Sequence, residues 1–96
     1  MDNRLYFIDL YDIYGSILTE KQQSYFEDYY FNNYSLGEIS ENYEVSRNAV
    51  FKNIKDSENK LIYFEENLKV YEKNKKMKEI IKGSSIEKEL LDIIEE

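Results

Sequence analysis

Residues 46–55 read SRNAVFKNIK and place several polar side chains at helical spacing. If this segment is a helix, its outward face carries Arg47, Asn48, Phe51, Lys52 and Lys55. Arg and Asn side chains form paired hydrogen bonds with base edges in the major groove, whereas Lys binds phosphate oxygens. The pattern therefore predicts that Arg47 and Asn48 contact bases, while Lys52 and Lys55 contact phosphates.

The element that would position this face is a helix-turn-helix over about residues 35–60. Ser35 is followed three residues later by Glu38, a capping-box pattern, so a first helix should begin at Leu36. After a short turn, Ser46 is a good N-cap for a second helix. We predict that Ser46 caps this recognition helix and positions its outward face.

Apolar spacing predicts the inward sides of these two helices. In the first helix the inward positions are Leu36, Ile39 and Tyr43, and a small residue, Ser40, would let another helix approach closely. In the second helix the inward positions are Ala49, Val50 and Ile54.

Two earlier helices are predicted by their boundaries. The first covers about residues 4–14 and ends near Gly15. Thr19 and Gln22 form another capping box, so a second helix should cover about residues 20–31. Its inner side would carry Gln22, Tyr25, Phe26, Tyr29 and Tyr30.

The aromatic segment YFEDYYFNNY, residues 25–34, has two interpretations. Stacked aromatic rings can bind the bases of single-stranded nucleic acid. Helical spacing and the absence of interleaved Lys or Arg favour core packing instead.

The region after Ser46 contains neither Gly nor Pro before Gly83, which predicts one long helix. Its apolar positions beyond Ile54 repeat at steps of three and four, once Ser57 is included, and form a seam of Leu61, Phe64, Leu68 and Tyr71. The seam must pack either on the first helix of the same chain or on a second copy. We expect a homodimer, because a small core gains from extra burial, and the intrachain alternative stays open.

Two segments are predicted along the chain. Residues 1–73 would form the helical domain, and residues 74–96 a C-terminal helical extension. In that extension Ser84 and Glu87 repeat the capping pattern and predict a short amphipathic helix over about residues 86–94.

Composition limits the fold and the chemistry. The 96 residues contain no Pro, no Cys and no His, and 34% of them are charged, so we expect one all-α domain with no disulfide and no thiolate or imidazole metal site. No catalytic residue, metal site or cofactor is predicted, because no nucleophile and base pair or phosphate-binding glycine loop is present. Carboxylate pairs such as Asp9 with Asp12, or Glu27 with Asp28, suit a solvated helix face better than Mg²⁺ binding. No membrane insertion and a cytoplasmic location are expected.

The formal net charge of −7 is unevenly distributed. Residues 1–45 hold nine acidic and two basic side chains, residues 46–60 hold two and four, and residues 61–96 hold nine and seven. Local cations decide phosphate binding, so the acidic total does not exclude DNA. If Arg47, Lys52, Lys55 and Lys60 all neutralised phosphates, the slope of log affinity against log salt would be about −3.6.

Several stretches of the sequence carry a resemblance to two known families. Residues 18–61, from LTEKQQ to ENKL, are similar to region 4 of bacterial sigma factors, a helix-turn-helix module that contacts promoter DNA. The strings LYDIYGSILTEKQQ, YYFNNYSLGEIS and VSRNAVFKNIK, followed by a long charged helix, resemble more closely the YlxM family of small bacterial proteins. The resemblance covers about residues 5–72.

The YlxM resemblance implies an all-α, sigma-factor region 4-like helix-turn-helix bundle with a long C-terminal helix. It further implies a cytoplasmic regulatory or accessory protein of the signal recognition particle pathway, with the particle's GTPase or its RNA as partner and double-stranded DNA as a possible ligand. The alternative is a sequence-specific transcriptional regulator unrelated to protein targeting.

One position and one segment depart from the pattern of helix-turn-helix proteins. Glu44 lies in the turn, where many such proteins have Gly in the left-handed conformation, at a cost of about 1 kcal/mol if that geometry is kept. The segment RNAVFKNIK also contains fewer Arg residues than sigma-factor recognition helices, which weakens the case for promoter reading.

Overall fold

A computed structural model describes residues 3–82 of the chain. The α-helices are α1 (Asn3–Tyr14), α2 (Glu20–Tyr30), α3 (Leu36–Tyr43), α4 (Arg47–Leu68) and α5 (Val70–Ile81). A 3₁₀ turn (Gly15–Ile17) joins α1 to α2. No strand occurs within residues 3–82, and the all-α prediction is confirmed. The helix predicted over residues 86–94 lies outside the described part.

Helix α2 begins where its capping box predicts. The Thr19 hydroxyl accepts a hydrogen bond from the Gln22 N–H, and the Gln22 side-chain oxygen accepts one from the Thr19 N–H, both at 3.1 Å. Each bond satisfies a backbone donor that the first turn of a helix leaves free. The helix ends at Tyr30, one residue before the predicted end.

The core lies between α4 and the three helices before it. Its buried apolar residues are Leu10, Tyr14, Leu18, Tyr25, Phe26, Tyr30, Ile39, Val50, Ile54 and Leu61. Phe26 stacks on Tyr11 with ring centroids 4.4 Å apart and on Tyr30 at 4.3 Å. Aromatic pairs of this kind contribute about 0.5–1.5 kcal/mol beyond the area they bury. The aromatic rings of α2 therefore serve the core, as helical spacing predicted.

The long helix predicted to run from Ser46 to Gly83 is interrupted. Helix α4 ends at Leu68, and Lys69 has φ 55° and ψ 34°, the left-handed conformation. Helix α5 then begins at Val70 and packs against α1. The prediction of one continuous helix is therefore wrong beyond Leu68, and the predicted domain boundary at residue 73 falls inside α5.

Most of the predicted seam packs within the same chain. Leu61 is fully buried, and Phe64 and Tyr71 are half-buried against the core, whereas the Leu68 side chain is 50% exposed. The buried line of α4 instead passes from Leu61 to Glu65. Intrachain packing thus accounts for three of the four seam residues, and the homodimer stays a prediction.

Candidate nucleic-acid interface

Helix α3 and the turn after it set the start of the recognition helix. Ser35 and Glu38 form the predicted capping box, with both hydrogen bonds at 3.0 Å. Glu44 has φ 55° and ψ 45°, the left-handed conformation usual for Gly at this place. The Val45 N–H then donates to the Ser40 carbonyl at 3.0 Å. The turn keeps the helix-turn-helix geometry in spite of its Glu.

Ser46 caps α4 as predicted. Its hydroxyl accepts a hydrogen bond from the Ala49 N–H at 3.1 Å, and the helix begins at the next residue, Arg47. An N-cap of this type stabilises a helix by about 1 kcal/mol. The cap fixes the first turn of α4, which carries Arg47 and Asn48.

All five side chains predicted to point outward are exposed: Arg47, Asn48, Phe51, Lys52 and Lys55. Phe51 is 51% exposed in the middle of this set. We call these five residues the recognition face.

Two of the predicted inward positions differ in the structure. Ala49 is exposed, whereas Leu36 is half-buried and packs against the core as predicted. Tyr43 is 42% exposed; its ring edge contacts Tyr25 and its hydroxyl donates to Asp28 at 3.3 Å. The last residue of α3 thus packs against α2 instead of entering the core.

Arg47 does not extend freely from the helix. Its guanidinium lies against Gly37 in the first turn of α3, where a Cβ added to Gly37 would be 2.8 Å from Nη2 and 3.1 Å from Nε. The glycine therefore provides the space in which the guanidinium packs. Sequence reasoning did not find this contact, because nothing local connects residues ten apart.

The predicted phosphate contacts are not equivalent. Within residues 3–82 Lys52 forms no ion pair, whereas Lys55 pairs with Glu58 at 3.5 Å. Lys60 donates to the Gln22 side chain at 3.3 Å. Within the recognition face, Arg47 and Lys52 are the two cations without an ion pair in residues 3–82, and these two contacts alone would give a salt slope of about −1.8, half the value expected from four contacts.

Acidic residues adjoin the recognition face on the α3 side. Residues 36–46 contain Glu38, Glu41 and Glu44, all exposed, and no Lys or Arg. In helix-turn-helix complexes the first helix crosses the phosphate backbone. These carboxylates oppose close approach of a duplex, so attraction for a duplex would have to come from the cations of the recognition face.

The comparisons with known proteins agree with this geometry. A family model described as "Putative helix-turn-helix protein, YlxM / p13 like" matches residues 1–95. The chain belongs to the YlxM family. The resemblance stated from the three sequence strings is thereby confirmed.

Curated relatives of the YlxM family match most of the chain. The UPF0122 protein YlxM of Bacillus subtilis (strain 168) is 47% identical over 90% of this chain and 84% of its own length. A UPF0122 protein of Thermoanaerobacter sp. (strain X514) is 43% identical over 99% of this chain and 90% of its own length. A UPF0122 protein of Bacillus pumilus (strain SAFR-032) is 51% identical over 76% of this chain and 66% of its own length.

Two of the four carboxylates considered for metal binding, Glu27 and Asp28, have other partners in this YlxM-family chain. Glu27 accepts a hydrogen bond from the Tyr11 hydroxyl, and Asp28 accepts from Asn32 at 3.0 Å and from Tyr43. No group of three potential ligands in residues 3–82 is arranged to bind a metal ion. No helix in the described range is long and apolar enough to span a membrane.

Sequence reasoning missed a buried polar network between α4 and α5. The Glu65 carboxylate, in a residue only 8% exposed, accepts hydrogen bonds from the N–H groups of Tyr71 and Glu72, each at 3.1 Å. The Tyr14 hydroxyl donates to Glu65 at 2.7 Å and accepts from the Val70 N–H at 3.2 Å. Three backbone donors in the first turn of α5 are thus satisfied by side chains from α4 and α1.

This network, Glu65 with Tyr14, explains why the long helix is interrupted. Lys69 offers no side-chain cap to α5, so Glu65 and Tyr14 supply the acceptors and a carboxylate lies at the positive end of the helix dipole. Burial, with a smaller effect of the Glu65 hydrogen bond, raises the pKa of Tyr14. A signal existed in the sequence: Glu65 follows Leu61 by four residues and so lies on the buried line of α4.

Proposed function

We propose that this YlxM-family chain is a non-enzymatic regulatory or accessory protein that binds duplex DNA through the recognition face. The observation that supports this proposal is the first half of α4. It is capped by Ser46, exposed along one side, and carries two cations, Arg47 and Lys52, that have no ion pair within residues 3–82.

Each residue of the recognition face has a distinct role in this proposal. Arg47 and Asn48 lie at the start of α4, the end of a recognition helix that approaches base edges. Lys52 lies more than one turn further along and binds phosphate. Lys55 contributes less, because Glu58 neutralises its charge.

Fluorescence anisotropy with random genomic duplexes at low salt tests the proposal. Arg47→Ala should reduce the preference for the best sequence by about tenfold, since one paired base contact is worth about 1–3 kcal/mol. Lys52→Ala should weaken binding to every sequence and flatten the salt slope by about 0.9. Lys21→Ala, at an exposed position of α2, is the control and should change neither property. Absence of duplex binding at low salt would eliminate the proposal.

Gly37→Ala gives a charge-neutral test of the same face. A Cβ at residue 37 displaces the Arg47 guanidinium, whose terminal atoms are the nearest neighbours, while the helix propensity of α3 improves by about 1 kcal/mol. We expect the variant to be at least as stable as the parent chain but less specific for sequence. Unchanged specificity would show that the position of Arg47 against α3 does not matter for reading bases.

The signal recognition particle pathway is the process in which we propose that the chain acts. The YlxM resemblance supports this assignment, and so does charge: residues 3–45 hold eight acidic and two basic side chains. An acidic surface accelerates association with a basic partner, such as a basic surface on the particle's GTPase. Pull-down from a bacterial extract with this chain should recover a component of the particle. Adding the purified chain should change the rate of GTP hydrolysis by the particle's GTPase. Failure of both would leave a transcriptional role unrelated to targeting.

A homodimer would strengthen DNA binding by one recognition face. Two faces about 34 Å apart can enter successive turns of the major groove and double the number of phosphate contacts. Sedimentation equilibrium should then give twice the 11.6 kDa mass of one chain. A single-chain mass at micromolar concentration would contradict the dimer.

A further inference from the structure

The most positive part of the described chain is α5, not the recognition helix. Helix α4 holds four basic and four acidic residues and is neutral overall. Residues 69–82 hold six lysines and two glutamates, which gives a net charge of +4. The acidic residues 3–45 therefore contrast most strongly with the last described helix.

The lysines of this region face solvent. Five of them are exposed: Lys69, Lys73, Lys75, Lys76 and Lys82. Lys76 pairs with Glu72 at 3.2 Å, whereas Lys69, Lys73 and Lys75 form no ion pair within residues 3–82. A helix rises about 1.5 Å per residue, so the five exposed lysines, from residue 69 to residue 82, extend over about 20 Å, the length of about six nucleotides of one DNA strand.

The interruption at Lys69 determines which side of α5 faces the body. Because α5 turns back at this point, the Tyr71 ring contacts the Tyr6 ring of α1 edge-on, with centroids 5.5 Å apart. Val70 is half-buried against the core on the same side. The first turn of α5 thus packs its apolar side against the body, and five of the six lysines of residues 69–82 stay exposed.

We propose that α5 together with Lys69 is a second nucleic-acid contact surface, which binds the phosphate backbone. Its charge, length and exposure suit a polyanion whose charges repeat along a line. Peripheral membrane helices instead insert a broad apolar face, and here exposed large apolar side chains on α5 amount to Met77 and Ile80 among residues 70–81. The surface does not require the recognition face, so the two proposals can fail separately.

The experiment compares the full chain with a triple variant, Lys69→Gln with Lys73→Gln and Lys75→Gln. At positions 73 and 75 Gln keeps a helix propensity close to that of Lys, residue 69 lies outside the helix, and α5 has no fully buried residue to disturb. Anisotropy is measured with a labelled RNA hairpin and a labelled DNA duplex over a range of salt concentrations. We expect affinity to fall by about tenfold or more and the slope on duplex to become shallower by about 2.7.

Two further variants separate the surfaces. Arg47→Ala with Lys52→Ala should leave the contribution of α5 intact, so that adding the triple substitution still weakens binding. Glu79→Lys raises the charge of α5 without removing any contact, and should tighten binding by about threefold. A gain of affinity cannot result from misfolding.

Specific results would overturn the inference. One is a triple variant that binds both nucleic acids as tightly as the parent chain at every salt concentration. Another is binding to vesicles containing anionic phospholipid with none to RNA or DNA, since the ligand would then be a membrane. If Arg47→Ala abolishes binding and the triple variant does not affect it, the recognition face stands and α5 is excluded.

Discussion

The two turns that flank α4 have the same backbone conformation but are stabilised in different ways. Glu44, before the helix, and Lys69, after it, both have φ 55° and both occupy the left-handed region that disfavours side chains. After Glu44, the next helix is capped by Ser46, three residues from the N–H that it binds. After Lys69, the next helix is capped by Glu65 and by Tyr14, which is 56 residues from the N–H that it binds.

The difference shows that a helix start can be stabilised by a neighbouring residue or by residues from another helix. A Ser N-cap acts within its own turn, so any chain that contains it has the boundary available. The Glu65 network exists only after α1 has packed beside α4, because Tyr14 belongs to α1. The turn at Glu44 should therefore persist in a partly folded chain, whereas the turn at Lys69 should be lost together with the core.

The largest effect is expected from Glu65→Ala. The substitution leaves two N–H donors of α5 and the Tyr14 hydroxyl without their acceptor, and unsatisfied buried donors cost about 1–3 kcal/mol. We expect the free energy of unfolding in urea to fall by about 2–3 kcal/mol. Amide exchange at residues 70–73 should accelerate more than exchange at residues 47–50.

Glu66→Ala is the matched control for this prediction. Glu66 is the exposed neighbour of Glu65, and surface substitutions usually change stability by less than about 0.5 kcal/mol. Equal stability of the Glu65 and Glu66 variants would show that the network does not hold the second turn.

Ser46→Ala should have a smaller, local effect. The Ala49 N–H loses its acceptor, which costs about 1 kcal/mol. Ser16→Ala, at an exposed position of the 3₁₀ turn, is the control. Because the cap is local, exchange should accelerate at residues 47–49 and stay unchanged in α5. Faster exchange in both helices would contradict the separation of the two boundaries.

Gly substitutions compare the two left-handed residues directly. Glu44→Gly and Lys69→Gly should each stabilise the chain by about 0.5–1 kcal/mol, since Gly adopts this conformation without a Cβ clash. Asn33 is also left-handed, with φ 58°, and Asn33→Gly should gain less because Asn tolerates the region. Urea midpoints give the comparison, and a loss of stability in either of the first two variants would be inconsistent with backbone strain there.

Alkaline pH should destabilise the turn at Lys69 more than the turn at Glu44. Burial is the main cause that raises the pKa of Tyr14, beside Lys69, and of Tyr43, beside Glu44. A phenol whose pKa is above its ordinary value of 10 in the folded chain loses its proton first in the unfolded chain. Its stabilising contribution is therefore complete below pH 10 and falls as pH rises further.

Urea midpoints measured between pH 8 and about pH 11 test this sign. Tyr14→Phe should remove more of the alkaline decline than Tyr43→Phe, because Tyr14 is 5% exposed and Tyr43 is 42% exposed. A midpoint that rises with pH in the parent chain, or an equal effect of the two variants, would contradict the assignment. Near neutral pH neither phenol should contribute to the pH dependence of the urea midpoint, because both are protonated in the folded and the unfolded chain.

Local signals in the sequence predicted most of the helices and the exposed face. The starts of α2, α3 and α4 follow from Thr19, Ser35 and Ser46, because each cap acts on a donor three residues away. The exposure of the recognition face follows from the positions of Val50 and Ile54, which turn the opposite side of α4 inward. The family assignment also came from residues alone.

Contacts between distant residues decided the rest. The packing of Arg47 on Gly37, the interruption after Leu68 and the network of Tyr14 with Glu65 each join side chains from different helices. Which acceptor reaches an N–H, or which glycine makes space for a guanidinium, depends on how helices pack, and helical periodicity carries no information on that. The sequence therefore determined where helices could start, and the tertiary structure determined where the last one turns back.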